Sequence, residues 1–341
     1  MRRDAQIAAG PSASELERAQ LLWSHPLLSR PLLETPPVKE FYAHIKFRLV
    51  AGGDSCCIAG HQRFGKSTAI AMTCRYLAAE FPDLPVYVFN CTNTSQTFSR
   101  EFLAQWSAVV RGGTTGASYS MRANIEHALI ERALLARSDR IVLILDEVQN
   151  IRLHELQFLK DIFNNLFCNG VRLVTISVGQ EPDLGRRLTL LNERQDLVKR
   201  FFGVQRTFRG IRLDDEVQGI FSCVDDKRLD PLDVSWSEFF TPARWRRGWR
   251  LAKEAAAFAE ALRKCGLIKR CTDTTEVSAD VLFSALRCYL VRSADQEARG
   301  GRWNNLHVWI DAVREAGFGG ASRSKVNQDG DDDEESMEIM P

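Results

Sequence analysis

Through the first two-thirds of the chain, short apolar runs alternate with longer stretches in which apolar residues recur every three or four positions. The runs cover residues 55–59, 85–91, 140–147 and 171–178 and are rich in Val, Ile, Leu, Phe and Cys. Runs of that length and composition predict strands. The run at 140–147 is apolar from Ile141 to Leu145 and then ends in two acids, as a central parallel strand covered on both faces does. Helical periodicity occupies 38–50 (Phe41, Ile45 and Leu49 on one face, with Gly52-Gly53 ending it), 68–80, 98–110, 121–136 and 153–169. Four strands alternating with helices specify an α/β fold, a parallel sheet flanked by helices. Residues 208–213 read as one further strand.

From residue 214 onward only helical spacing remains, at 214–224, 249–265 and 278–291. In the second of these, Leu251, Ala255, Phe258, Ala259 and Leu262 share a face, as in a small amphipathic bundle. The pattern divides the chain into a Pro-punctuated lead-in at 1–37, an α/β domain at 38–213, a helical domain at 214–316 and a tail at 317–341. The tail is rich in Gly, Ser and Asp and is expected to be disordered.

Composition changes this picture little. A hydrophobic fraction of 45% and a charged fraction of 26% over 341 residues suit a globular protein with a sizeable core. No run of 18 apolar residues occurs, so no membrane span is predicted, and the first residues lack the apolar segment of a signal peptide. Nine cysteines, several in apolar stretches, include no C-x-x-C pair. They predict a reducing cytoplasm, with neither a disulfide frame nor a zinc site. His154-Glu155 has no second His four residues after the first, which removes a metalloprotease reading.

Charge adds more. The net +1 conceals seven acids and no base within 329–341; without them 45 basic residues face 37 acidic ones, a net +8 for the body. A basic body with an acidic tail is compatible with nucleic-acid binding.

The sharpest chemistry lies between the first strand and the helix at 68–80. Gly60, His61, Gln62, Arg63, Phe64, Gly65, Lys66 and Ser67 fit G-x-x-x-x-G-K-[ST] at every fixed position. Glycines let the backbone curl and present N–H groups to β- and γ-phosphates. Lys66 brings a point charge to those phosphates, Ser67 offers a hydroxyl to Mg²⁺, and the helix entered at Thr68 aims its positive end at the anion.

Asp146 and Glu147, at the C-terminal end of the central strand, complete the pair: Asp146 for the Mg²⁺ shell and Glu147 to polarise the attacking water. A polar side chain at the end of the next strand can touch the γ-phosphate or the water, Gln180 first and Ser177 second. The Pro-rich lead-in either lies over the adenine or serves as a linker. Arg186, Arg187, Arg194, Lys199 and Arg200 follow at helical spacing, with Arg200 set between Leu197-Val198 and Phe201-Phe202. The stretch 236–250 interleaves three Trp with four Arg, which either stack on bases or a partner or pack locally.

In this order the phosphate loop, the acid-ended strand, the polar strand end, Lys199-Arg200-Phe201 and the C-terminal helices resemble the AAA+ ATPases. More narrowly they are similar to the transposition regulators, the TnsC and TniB proteins with IstB as a cousin. The segment Asp146 to Asn150, the strand ending in Val178-Gly179 and the following Arg200-Phe201 carry that likeness over residues 30–290. The resemblance implies ATP and Mg²⁺ as cofactors, ATP hydrolysis and a bacterial cytoplasmic setting. It implies a ring or filament of identical subunits around double-stranded DNA, bridging a target-selector protein to a transposase. It makes Arg200 an arginine finger for the next subunit and Arg250 the sensor arginine of a helical lid, although Gly248-x-Arg250 departs from the usual G-x-x-R spacing. DNA phosphates would meet the loops at 92–100 and 111–122, through Thr94, Arg100, Arg111 and Arg122. Another AAA+ or P-loop ATPase, such as a helicase loader or defence-type switch, and a nucleotide-gated scaffold with little turnover stand as alternatives, although intact Asp146-Glu147 argues for hydrolysis.

Overall fold

In the computed structural model, residues 20–29, 32–53, 55–92, 99–111, 117–213, 215–230, 232–269, 272, 274–300 and 304–318 are described. Thr94 and the acidic tail lie outside them.

Strands β1 (Ser55–Gly60), β2 (Val86–Asn90), β3 (Arg140–Asp146), β4 (Arg172–Gln180) and β5 (Val204–Thr207) form one parallel sheet in the order β2-β3-β4-β1-β5. Helices α1 (Pro36–Val50), α2 (Lys66–Glu80), α3 (Ser99–Val110), α4 (Ser118–Leu135) and α5 (Leu153–Cys168) cover it, followed by the short α6 (Asp183–Leu190) and α7 (Gln195–Phe201). One face buries Phe41, Ile45, Leu77 and Val178, and the other buries Leu103, Trp106, Leu143 and Leu159. Strand β3 carries five consecutive buried residues, Ile141 to Leu145, because both of its faces are covered. The expected α/β fold with a parallel sheet is the fold observed.

The fifth strand lies elsewhere than expected. Residues 204–207 pair with β1, from Cys56 opposite Val204 to Ala59 opposite Thr207. All four are exposed on this edge strand, so no apolar run marks them. The apolar residues that suggested a strand at 208–213 have split duties. Phe208 turns into the core against Phe41, while β6 (Ile211–Arg212) leaves the sheet.

Beyond it lie α8 (Asp215–Asp226), a ribbon of β7 (Arg228–Leu229) and β8 (Val234–Ser235), α9 (Pro242–Arg246), α10 (Ala255–Lys264), β9 (Glu276–Val277), α11 (Ala279–Arg299) and α12 (Asn305–Glu315). Strand β6 pairs antiparallel with β9. The single helix expected at 249–265 begins instead as a 3₁₀ turn, Leu251–Glu254. Asp225 holds that turn by accepting from Leu251 N and Ala252 N at 3.1 and 3.0 Å. Trp309 of α12 stacks on Tyr289 with centroids 3.8 Å apart and on Phe221 at 5.7 Å, joining α8, α11 and α12 in one core. Leu27 and Leu33 of the lead-in are buried in that same helical core.

Arg209, between β5 and β6, joins the two halves. It donates to Glu40 of α1 at 2.6 and 3.0 Å and to Glu216 of α8 at 2.7 and 2.9 Å. Among the described residues no helix is long and apolar enough to cross a membrane, and no cluster of three His, Cys, Asp or Glu is placed to hold a metal.

Candidate active site

The phosphate loop joins β1 to α2. Arg63 (φ 63°) and Gly65 (φ 104°) are both left-handed, which winds the loop back over the start of α2. At Gly65 the conformation is cheap because there is no Cβ. Lys66 is buried, and its ammonium donates to the carbonyls of Gly60 and His61, each at 2.9 Å. Burial lowers the pKa of the ammonium, against the opposing pull of Glu147 and Asp146.

Strand β4 lies between β1 and β3, so three strand ends meet at one edge of the sheet. Gly60 is in register with Gln180. Ser67 Oγ donates to Asp146 Oδ2 at 3.5 Å, and Asp146 Oδ1 accepts from Glu147 N at 2.9 Å. Burial raises the Asp146 carboxyl above its ordinary value; the Glu147 N–H and Lys66 oppose that rise. Glu147 leaves the strand with φ 53°, a left-handed backbone that a non-glycine residue rarely adopts and that clusters at functional sites.

Lys66, Ser67, Glu147 and Gln180 open onto a cleft of about 630 Å³. Its floor is Gln62, Arg63, Phe64, Gly65, Lys66, Ser67 and Thr68, with Glu147 and Gln180 beside them. Leu33, Thr35 and Val38 form one wall, which puts the end of the lead-in at the cleft rather than leaving it a free linker. The other wall is α11, through Ala279, Asp280, Phe283 and Arg287. Asp280 N donates to Arg63 O at 3.2 Å, and the Arg63 guanidinium reaches Asp280 Oδ2 at 3.3 Å. The helical half therefore closes directly on the phosphate loop.

Several expected residues fall elsewhere. Arg250 is not among the residues lining the cleft: it stacks over Trp245 at 3.7 Å and donates to the carbonyls of Trp245 and Trp249. The cation that α11 brings to the cleft is Arg287, steadied by its bond to Ser284 Oγ at 2.9 Å. Sequence reading missed it, although Ala279, Phe283 and Arg287 recur at four-residue spacing and so share a helix face.

Ser177 is fully buried and donates to Phe201 O at 2.6 Å, a tie to α7 that takes it away from the cleft. Arg122 is engaged by Glu126 and Asp161, at 3.1 and 3.0 Å. Arg100 and Arg111 are exposed at opposite ends of α3. Arg200 donates to Asn164 Oδ1 at 2.6 Å and lies over the Phe163 ring at 4.6 Å, and it does not line its own cleft. The Trp and Arg of 236–250 pack together, with Arg244 over Trp249 and Trp249 Nε1 bonded to buried Glu254.

Residues 50–188 match a protein family described as an AAA domain. The ORC2 protein of Aeropyrum pernix, solved as ADPNP–ADP complexes, is similar in structure with a TM-score of 0.53 at 16% identity, covering 85% of this chain and 68% of that one. Its ADP form gives 0.54 at 19% identity, covering 81% and 67%. No curated protein matches the chain. The fold is that of the AAA+ P-loop proteins, and the AAA domain matched over residues 50–188 implies nucleotide binding.

Proposed function

We propose that this protein is an ATP-hydrolysing AAA+ regulator that assembles with copies of itself on duplex DNA and links target-site choice to a transposase. The observation that carries the ATPase reading is the convergence of Lys66, Ser67, Glu147 and Gln180 on one cleft walled by α11, with Asp146 bonded to Ser67 behind it. Backbone N–H groups of the loop and the Lys66 ammonium fit the phosphates. The Ser67 hydroxyl and the Asp146 carboxylate, lying together at the loop, are the hard oxygen donors that Mg²⁺ takes. Held by these two residues, Mg²⁺ would supply positive charge against that of the phosphates.

Glu147 directs a water at the γ-phosphorus, the bond to the β,γ-bridging oxygen breaks, and ADP and phosphate leave. Gln180 holds the phosphate side of that water. The helical half presents Arg287 to the nucleotide, and Arg200 serves the site of a neighbouring copy.

The DNA partner is supported by the +8 body and by exposed Arg100 and Arg111 flanking the loops at 92–100 and 111–122, where Thr94 is also proposed to bind. The transposition role is supported by the order of the Asp146–Asn150 segment, Val178-Gly179 and Arg200-Phe201.

The test compares the wild type with Lys66→Ala and Glu147→Gln, with and without duplex DNA. Lys66→Ala is expected to lose ATP binding. Glu147→Gln is expected to keep it while turnover falls by about 10²-fold or more, the scale of a lost general base. Its ATP-loaded form should stay on DNA, with an affinity that drops steeply as salt rises. A Glu147→Gln protein that hydrolyses ATP at the wild-type rate removes Glu147 from the mechanism.

A further inference from the structure

Two residues after Glu147, Gln149 sits in the 3₁₀ turn Val148–Asn150 that follows β3. Its side-chain amide spans two groups of the cleft. Nε2 donates to Glu147 Oε2 at 2.5 Å, and Oε1 accepts from the backbone N–H of Gln180 at 3.1 Å. The orientation of the amide follows from chemistry. Turned over, it would set its oxygen against a carboxylate and its NH₂ against an N–H, losing both bonds.

The backbone makes room for this bridge. A Cβ at Gly179 would lie 3.1 Å from Gln149 Oε1 and 2.7 Å from Leu184 Cδ2, so glycine at this strand end leaves the space through which the amide reaches Gln180. Gln149 therefore links the carboxylate that follows β3 to the backbone at the end of β4 through its one side-chain amide.

Resting on the reading of Glu147 as the group that activates water, we propose that Gln149 is the positioning residue of the hydrolytic site. Glu147 projects from a left-handed backbone position, where the strand ladder no longer holds its side chain. A glutamate free to rotate occupies several rotamers, and a base must stand within hydrogen-bond reach of its water. Gln149 takes one carboxylate oxygen, fixes the direction of the group and leaves the other oxygen to face the water. Because the same amide holds the Gln180 N–H, a shift at the strand end where the γ-phosphate is proposed to sit moves the carboxylate with it. Gln149 does not line the cleft itself, so its action is through Glu147.

The test uses the full chain carrying Gln149→Glu or Gln149→Ala. Gln149→Glu is isosteric and keeps an acceptor for Gln180 N–H, but it sets a second carboxylate against Glu147. Both variants are expected to lower kcat by about tenfold or more while KM for ATP and the affinity for ADP stay within about twofold, the signature of an interaction used in the chemical step rather than in binding. In a Glu147→Gln background the same substitutions should cost nothing further, since the group they position is gone.

A wild-type or raised kcat in both variants, with Glu147→Gln inactive, overturns the role of Gln149 and leaves the ATPase reading intact. A matched loss of nucleotide affinity and kcat marks a merely structural residue and also overturns it. A wild-type rate in Glu147→Gln overturns both the reading and this proposal.

Discussion

His25 illustrates how much one buried side chain in the lead-in decides. It is fully buried against Trp236, Phe239 and Phe240, with ring centroids 4.8–5.9 Å away, and its Nδ1 accepts from Leu27 N. Burial pushes the imidazole from its ordinary 6.5 down to about 4, with the Trp236 backbone opposing. The native protein thus holds His25 neutral, and its contribution to stability is complete above pH 6.5. As pH falls from 6.5 towards 4 the unfolded chain takes a proton that the folded one refuses, and stability drops by up to about 3 kcal/mol. Denaturant unfolding at pH 7 and 4.5 measures this. His25→Gln keeps an acceptor for Leu27 N but cannot titrate, so its stability should fall less over that interval; parallel curves for the two proteins would rule the assignment out. At this scale the sequence was most legible where function is contiguous. The phosphate loop is eight adjacent residues, and the acids of β3 follow an unbroken apolar run. Arg287 was not legible, because its place depends on how α11 packs against the loop, while Arg250 carried a glycine nearby that suggested a sensor and a Trp245 stack that nothing in the spacing announced.

Among elements, two ion-pair sets of different quality help to join the α/β half to the helical half. Arg209 and Glu216 are each mostly buried, and the guanidinium makes paired bonds to both Glu216 and Glu40. Glu216 foremost, then Glu40, holds the guanidinium above its ordinary pKa, so it stays charged. The Arg63–Asp280 pair is far more exposed, at 64% and 36%, and water screens it to about 1 kcal/mol or less. Arg209 should therefore set the position of α11 over the nucleotide more than Asp280 does. Arg209→Ala is expected to weaken nucleotide affinity by about tenfold, or 1.4 kcal/mol. Asp280→Asn should change it by less than about threefold. Titration of each variant with ADP gives the ranking, and a larger effect at Asp280 would reverse it. Elements buried on both faces were the ones that the pattern of apolar residues located well. The edge strand β5 escaped because its four residues are exposed and polar or isolated, and the turn at Leu251–Glu254 escaped because Asp225, 26 residues earlier, imposes it.

For the whole molecule the question is how Arg200 reaches a phosphate. Leu197, Phe201 and Phe202 are fully buried around it, Thr175 Oγ1 bonds to its carbonyl at 3.1 Å, and α5 holds its guanidinium through Asn164 and Phe163. Held this way and absent from the walls of its own cleft, Arg200 in the proposed finger role would act on the nucleotide of another copy. Such a donor stabilises charge spread over the equatorial oxygens in the transition state without contributing to nucleotide binding within its own subunit. Arg200→Ala is therefore expected to bind ATP as the wild type does and to lose the ATPase that depends on assembly. Lys66→Ala is expected to be inactive for the opposite reason, lacking its own site while still offering Arg200. Mixed one to one in a head-to-tail assembly, about a quarter of the interfaces would join an intact site to an intact finger, so activity should return to that fraction of the wild type. Steady-state hydrolysis by the two variants, alone and mixed, decides it. A mixture no more active than its parts, or a monomer that hydrolyses ATP as fast as the DNA-bound assembly, would show that Arg200 reaches no neighbour's phosphate.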